Sequence, residues 1–65
     1  MSNINFLKAE VKRLNTQYQK ARQIARLYDE TNPYGIGARP ARAAEYEAEQ
    51  ALIEARIRLH EALES

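Results

Sequence analysis

The chain has 65 residues, no cysteine and one histidine, so it holds one small domain at most and no disulfide or thiolate metal site. A chain of this size buries only about 60% of its unfolded surface, and we expect it to gain stability by associating with another chain. The formal net charge is only +1 at pH 7.

That small net charge conceals a strong asymmetry along the chain. Residues 1–28 carry six Lys and Arg against one Glu, a balance of 6 − 1 = +5, and residues 43–65 carry two Arg against six Glu, a balance of 2 − 6 = −4. We expect the two halves to attract each other, either within a hairpin or between protomers.

The first half predicts one long helix, from about residue 4 to about residue 29. Its apolar residues recur at alternating intervals of three and four for more than three heptads, as in a helix that packs lengthwise on another helix. The members of this stripe are Ile4, Leu7, Val11, Leu14, Tyr18, Ala21, Ala25 and Tyr28. On one side, Phe6 and Ile24 broaden it.

A second stripe of the predicted first helix is polar, with four cations and two amides at the same alternating spacing. We call this stripe the basic ridge, and it consists of Lys8, Lys12, Asn15, Gln19, Arg22 and Arg26. Two interpretations are open. The ridge is a solvated face whose charged groups lie in water, or it contacts the phosphates of a nucleic acid or an acidic protein.

The segment from about residue 30 to about residue 39 predicts a loop, because an Asn-Pro step disfavours helix and two glycines offer positions where positive φ costs little. Two interpretations are open for Tyr34 and Ile36. They fold back and plug the open end of a hairpin, or they form an exposed contact tip together with Arg39.

Charges beside the predicted loop are opposed to the helix dipoles, with acids at a helix C-terminus and arginines at a helix N-terminus. These residues are Asp29, Glu30, Arg39 and Arg42. Either they pair across the end of the hairpin, or they are kept for a partner.

A second helix is predicted from about residue 40 to about residue 64, with Pro40 at its first position. One of its faces is rich in alanine, which lets the first helix approach closely. The members of this face are Ala41, Ala44, Ala48, Ala51, Leu52, Ala55, Leu59, Ala62 and Leu63. The sequence therefore predicts an all-α fold, an antiparallel two-helix hairpin that forms one domain over residues 1–65.

The predicted second helix carries another apolar stripe, Tyr46, Ile53 and Ile57, on the side away from the alanine face. These residues are either isolated exposed apolar groups or a self-association surface, and we expect the latter. In length and helix count the chain resembles the small helix–loop–helix proteins that dimerise into four-helix bundles. That resemblance implies the same dimeric arrangement here.

No catalytic, metal-binding or cofactor motif is found in the sequence, and a carboxylate metal site in a bundle would need Glu-x-x-His units that the chain lacks. We therefore expect no enzyme and no cofactor. The sequence favours a homo-oligomeric protein–protein interaction module with an unidentified protein target: a regulator, adaptor or inhibitor of the kind phages and mobile elements encode. The alternative is a nucleic-acid-binding regulator that uses the basic ridge. No apolar run is long enough to span a membrane, so a cytoplasmic protein is expected.

Overall fold

The chain folds as a hairpin of two helices in a computed structural model that describes residues 3–64. The helices are α1 (Asn3–Thr31) and α2 (Ala38–Glu64), and no strand occurs in the described part. They contact each other along their length in a rod of 46 × 14 × 13 Å. The predicted all-α hairpin is confirmed; residues 1, 2 and 65 of the predicted domain lie outside the described range.

The end of α1 comes later than predicted, at residue 31 instead of about 29. The Asn32 N–H donates to the Tyr28 carbonyl at 2.7 Å, which continues the helical pattern by one bond. Thr31 Oγ1 also donates to the Leu27 carbonyl, at 2.6 Å. Pro33 then stops the helix, because a residue that precedes proline is disfavoured in the α region.

The start of α2 comes earlier than predicted, at residue 38 instead of about 40, and the connection is therefore only residues 32–37. The Ala41 N–H donates to the Gly37 carbonyl at 3.1 Å, which closes the first turn of α2. Pro40 lies within that turn, where its missing N–H leaves no hydrogen bond unmade.

The hairpin has a thin core made almost entirely of alanine. Its buried residues are Ala25, Ala38, Ala41, Leu52 and Ala55. All eight members of the apolar stripe predicted for α1 are buried or half-buried, as expected. Small side chains on α2 allow the helices to approach closely, but they bury little apolar area each.

Several residues that the sequence placed on or beside the core are exposed. Ala44 was expected on the inner face of α2, yet it lies at the edge of that face and is exposed. Leu63 is 55% exposed, because it belongs to the last turn of α2, at the open end of the hairpin. Phe6 and Ile24 do not add to the core contact either, with 69% and 52% exposure.

Both loop glycines lie close to a neighbouring side chain, which would have to move to admit a Cβ. No glycine of the described part has positive φ, so the conformational freedom that the two glycines offer is not used. A Cβ added at Gly35 would lie 2.7 Å from Asn32 Cγ, and one at Gly37 would lie 2.5 Å from Tyr28 Cζ. The loop is therefore packed against the end of α1.

Candidate interaction surfaces

The outward face of α2 carries the apolar stripe that the sequence assigned to self-association, which we call the outer stripe. Tyr46 is 65% exposed, Ile53 39% and Ile57 52%. At about 100° per residue, the three lie within about 40° of one another and about 130–170° from the buried line of α2. The hairpin itself covers none of them well, so the outer stripe is free for a second contact.

The basic ridge of α1 is only partly open to solvent. Lys8, Lys12, Gln19 and Arg26 are exposed, but Asn15 and Arg22 are half-buried because they lie nearer to α2. Within residues 3–64, none of the six cations of α1 forms an ion pair. The positive charge of α1 is therefore not neutralised inside the hairpin.

Each ion pair between the helices joins an acidic residue of α1, where bases predominate, to an arginine of α2, where acids predominate. Arg58 Nη2 of α2 donates to Glu10 Oε1 of α1 at 2.6 Å, and Arg42 Nη1 lies 3.8 Å from Asp29 Oδ1. The expected attraction between a basic α1 and an acidic α2 is thus absent from the described ion pairs, where the acids come from α1 and the bases from α2. The Arg42–Asp29 pair confirms pairing across the loop end for these two residues, whereas Glu30 and Arg39 form no ion pair within residues 3–64.

The same two ion pairs identify the two faces of the hairpin. By helical rotation of about 100° per residue, Asp29 lies on the side of α1 that carries the basic ridge. Its partner Arg42 lies on the same side of α2 as the outer stripe. Ridge and outer stripe therefore border the same face, and Glu10 and Arg58 meet on the opposite one.

The loop forms an apolar tip at one end of the rod. Tyr34 is 97% exposed and Ile36 98%, and Arg39 is exposed beside them. The plug interpretation is wrong, because two tight turns turn these side chains away from the helices. In those turns the Gly35 N–H donates to the Asn32 carbonyl at 3.0 Å, and the Ala38 N–H donates to the Gly35 carbonyl at 3.1 Å.

A shallow open depression on the outer side of α1 places polar groups outside the ridge pattern beside Lys12 of the ridge. It is lined by Ala9, Lys12, Arg13, Thr16, Gln17 and Lys20. The sequence signal that identifies it is the repetition of polar residues at intervals of four from Lys12 and Arg13. Together with the ridge, the depression makes the solvent side of α1 cationic over most of its length.

Among residues 3–64, no group of three or more His, Cys, Asp or Glu side chains is placed to hold a metal ion. Neither described helix is both long and apolar enough to cross a membrane. Comparison with known protein families, curated proteins and solved structures gave no match for this chain. The described geometry therefore defines the class of the molecule, an antiparallel two-helix hairpin with three exposed surfaces.

Proposed function

We propose that the chain is a small non-enzymatic protein–protein interaction module that acts as a homo-oligomeric helical assembly. The observation that carries this proposal is the outer stripe of α2, three large apolar side chains that stay exposed on the side away from α1. Single exposed apolar residues are ordinary on protein surfaces. Three of them in line on one helix form a surface of the kind that packs against another helix.

The exposed area of the hairpin supports the same proposal. Its accessible surface is 5197 Å², whereas a compact monomer of this mass is expected to expose about 4,200 Å². The difference of roughly 1,000 Å² is comparable to what one partner contributes to a standard interface, about 800 Å². Since the core holds a single buried residue larger than alanine, association would supply apolar burial that the hairpin lacks.

The loop tip is the surface we assign to the protein target. Its two apolar side chains are almost fully exposed, and the packed glycines hold the loop against α1. Rigid, protruding apolar groups lose little conformational freedom on binding, which makes them effective anchors in a pocket of a partner.

The experiment compares two isoleucines that are equally exposed in the hairpin. Ile57 and Ile24 are each 52% exposed within a helix, but only Ile57 belongs to the outer stripe. Solution mass is measured by sedimentation over a concentration series for the wild type, Ile57→Asp and Ile24→Asp. We expect an oligomeric wild type, a shift of Ile57→Asp to the monomer, and an Ile24→Asp variant that keeps the wild-type mass.

A monomeric wild type at all concentrations would refute self-association. Equal dissociation by both substitutions would also contradict the proposal, since the effect would then not be specific to the outer stripe. Circular dichroism of each variant shows whether the hairpin is still folded, so that loss of the oligomer is separated from unfolding.

A second candidate function is nucleic-acid binding by α1, and the observation that favours it is the set of six cations without an ion pair in the described part. Lys and Arg along one helix suit contacts with a phosphate backbone. Binding of a labelled RNA or DNA duplex should weaken steeply with salt and be abolished by Lys12→Glu with Arg22→Glu. An α2 control, Arg56→Glu, should leave it unchanged; if the double variant still binds, the ridge does not contact nucleic acid.

A further inference from the structure

Helix α2 carries two complete heptad seams instead of one. The inner seam faces α1, and its eight members are all buried or half-buried: Ala38, Ala41, Glu45, Ala48, Leu52, Ala55, Leu59 and Ala62. A second series follows the same alternation of three and four, and its eight members are all exposed. We call it the outer seam: Arg39, Ala43, Tyr46, Gln50, Ile53, Ile57, His60 and Glu64.

The outer seam extends the outer stripe in both directions and ends in opposite charges. Its apolar members occupy the middle, with Arg39 near the start of α2 and Glu64 at the last described position of the helix. The series covers about 38 Å at about 1.5 Å per residue. Four of its eight members are apolar, Ala43, Tyr46, Ile53 and Ile57, and apolar residues at this alternating spacing are typical of a helix that packs on another helix.

We propose that a second copy of the chain packs on this seam with its own outer seam, in antiparallel orientation. This inference rests on the self-association proposed above and adds its orientation and register. The order of side chains along the seam supports this register: when the two copies are antiparallel and centred between residues 51 and 52, the oppositely charged ends meet, and the apolar residues lie between them. The layers are then 39 with 64, 43 with 60, 46 with 57, and 50 with 53, each occurring twice.

The chemistry of three of the four layers fits that register, whereas the central layer places the polar Gln50 against Ile53. Arg39 of one copy meets Glu64 of the other, Tyr46 meets Ile57, and the small Ala43 lies opposite the larger imidazole of residue 60. Antiparallel coiled coils pair the two kinds of heptad position in each layer, and all four layers here do so. A shift by one heptad in either direction would leave charged or polar end residues facing the apolar centre and two positions without a partner.

Parallel packing is disfavoured by the same charges. It would place Arg39 against its own copy at one end and Glu64 against its own copy at the other, with like charges opposed at both ends. Helix α1 also exposes large apolar residues, Phe6, Ile24 and Leu27, but they lie toward its two ends. Arg13 and Lys20 occupy the middle of its solvent face, so it lacks an apolar centre. Only α2 therefore presents an apolar centre with complementary ends.

The arrangement has a consequence for the loop tips. In the antiparallel dimer the four helices lie in a row, α1 and α2 of one copy followed by α2 and α1 of the other. The two tips with Tyr34 and Ile36 then lie at opposite ends, about 45 Å apart. The dimer becomes a rod that presents one apolar tip at each end, suited to bridging two target molecules.

Charge reversal at the ends of the seam tests the register. Arg39→Glu and Glu64→Arg each replace two attractive end contacts by two repulsive ones, so each single variant should weaken the dimer about tenfold or more. The double variant should return to within about threefold of the wild type. Both single changes place favourable charge at a helix terminus. For Glu64→Arg this offsets the loss of the exposed 3.0 Å contact between Glu64 Oε1 and His60 Nε2, so neither change should markedly destabilise α2 itself. The matched control is Arg13→Glu on α1, whose dimer dissociation constant should stay within about threefold of the wild-type value.

Orientation is measured directly with a spin label at the loop. The chain has no cysteine, so Ile36→Cys, 98% exposed and outside the seam, provides a single attachment site. Electron–electron double resonance on the dimer should give a distance near 45 Å. Parallel packing would bring the labels side by side, to roughly 20 Å or less.

The outcomes separate this inference from the one on which it rests. A dimer with the short label distance, or one that is indifferent to both charge reversals, would overturn the antiparallel register and leave self-association standing. A monomer at all concentrations would overturn both. A distance near 45 Å together with recovery in the double charge variant supports the inference.

Discussion

Leu52→Ala is the substitution to which the hairpin should respond most strongly. Leu52 is 3% exposed and is the one residue larger than alanine in the buried core of residues 3–64. Removing three buried carbons at about 0.8 kcal/mol each costs roughly 2.4 kcal/mol. The cavity left between two helices raises this to about 3 kcal/mol. A 65-residue chain has a total stability of only about 3–10 kcal/mol, so the loss is a large part of it.

Thermal unfolding followed by circular dichroism measures this effect. At roughly 4–8 °C per kcal/mol for a chain of this size, the midpoint should fall by about 12–24 °C. The matched control is Leu27→Ala, since Leu27 is 59% exposed in α1 and its truncation should cost less than about 0.5 kcal/mol. Equal midpoints for the two variants would refute the assignment of Leu52 to the core. If the chain self-associates, the midpoint of Leu52→Ala should also rise with protein concentration.

Two further predictions concern contacts that join the helices and the loop. Glu10→Gln should lower the unfolding free energy by about 0.5–1 kcal/mol, because Glu10 accepts the 2.6 Å hydrogen bond from Arg58 and its side chain is only 19% exposed. A double-mutant cycle with Arg58→Gln that shows no coupling would contradict this. Gly37→Ala should cost about 1 kcal/mol, because the added methyl displaces the Tyr28 ring. That cost should disappear in a Tyr28→Ala background, and a penalty unchanged there would assign it to the backbone instead.

The helices and their inner faces were predictable because periodicity decides them. In α1 the spacing of three and four from Ile4 to Tyr28 selected the residues that the structure covers. The error at Ala44 has a simple cause: alanine is equally acceptable at the centre and at the edge of a helix contact. A pattern of alanines therefore identifies a face without defining its width.

The loop was less predictable, because its conformation depends on contacts that the local sequence does not reveal. Glycine at positions 35 and 37 offered positive φ, but neither adopts it. What lies close to them is a side chain, that of Asn32 within the loop at Gly35 and that of Tyr28 of α1 at Gly37. Apolar residues between turns fit a buried plug as well as an exposed tip. The connection comprises only residues 32–37, so it is too short for Tyr34 and Ile36 to fold back onto the end of the hairpin.

The outer seam proposed for self-association is longer than the apolar stripe that the sequence indicates, because its ends are charged. Tyr46, Ile53 and Ile57 are apolar and stand out in the sequence, whereas Arg39 and Glu64 resemble any solvated charge until the exposure of α2 is known. Charged residues at the ends of an apolar seam act mainly on orientation and partner choice, with little contribution to affinity. Hydrophobic periodicity alone does not detect them.

The outward faces of the two helices thus differ in polarity, and this difference relates the proposed binding surfaces to one another. Helix α2 has an apolar centre on both sides, so it is suited to the middle of an assembly, between its own α1 and a second α2. The outer side of α1 is cationic, and desolvating Arg13 or Lys20 without a partner charge would be costly. Packing through α2 leaves both copies of α1 at the outer edges, where those cations stay hydrated and accessible. The self-association proposed for α2 and the polyanion binding proposed for α1 would therefore use different helices, and a variant that removes one should leave the other intact.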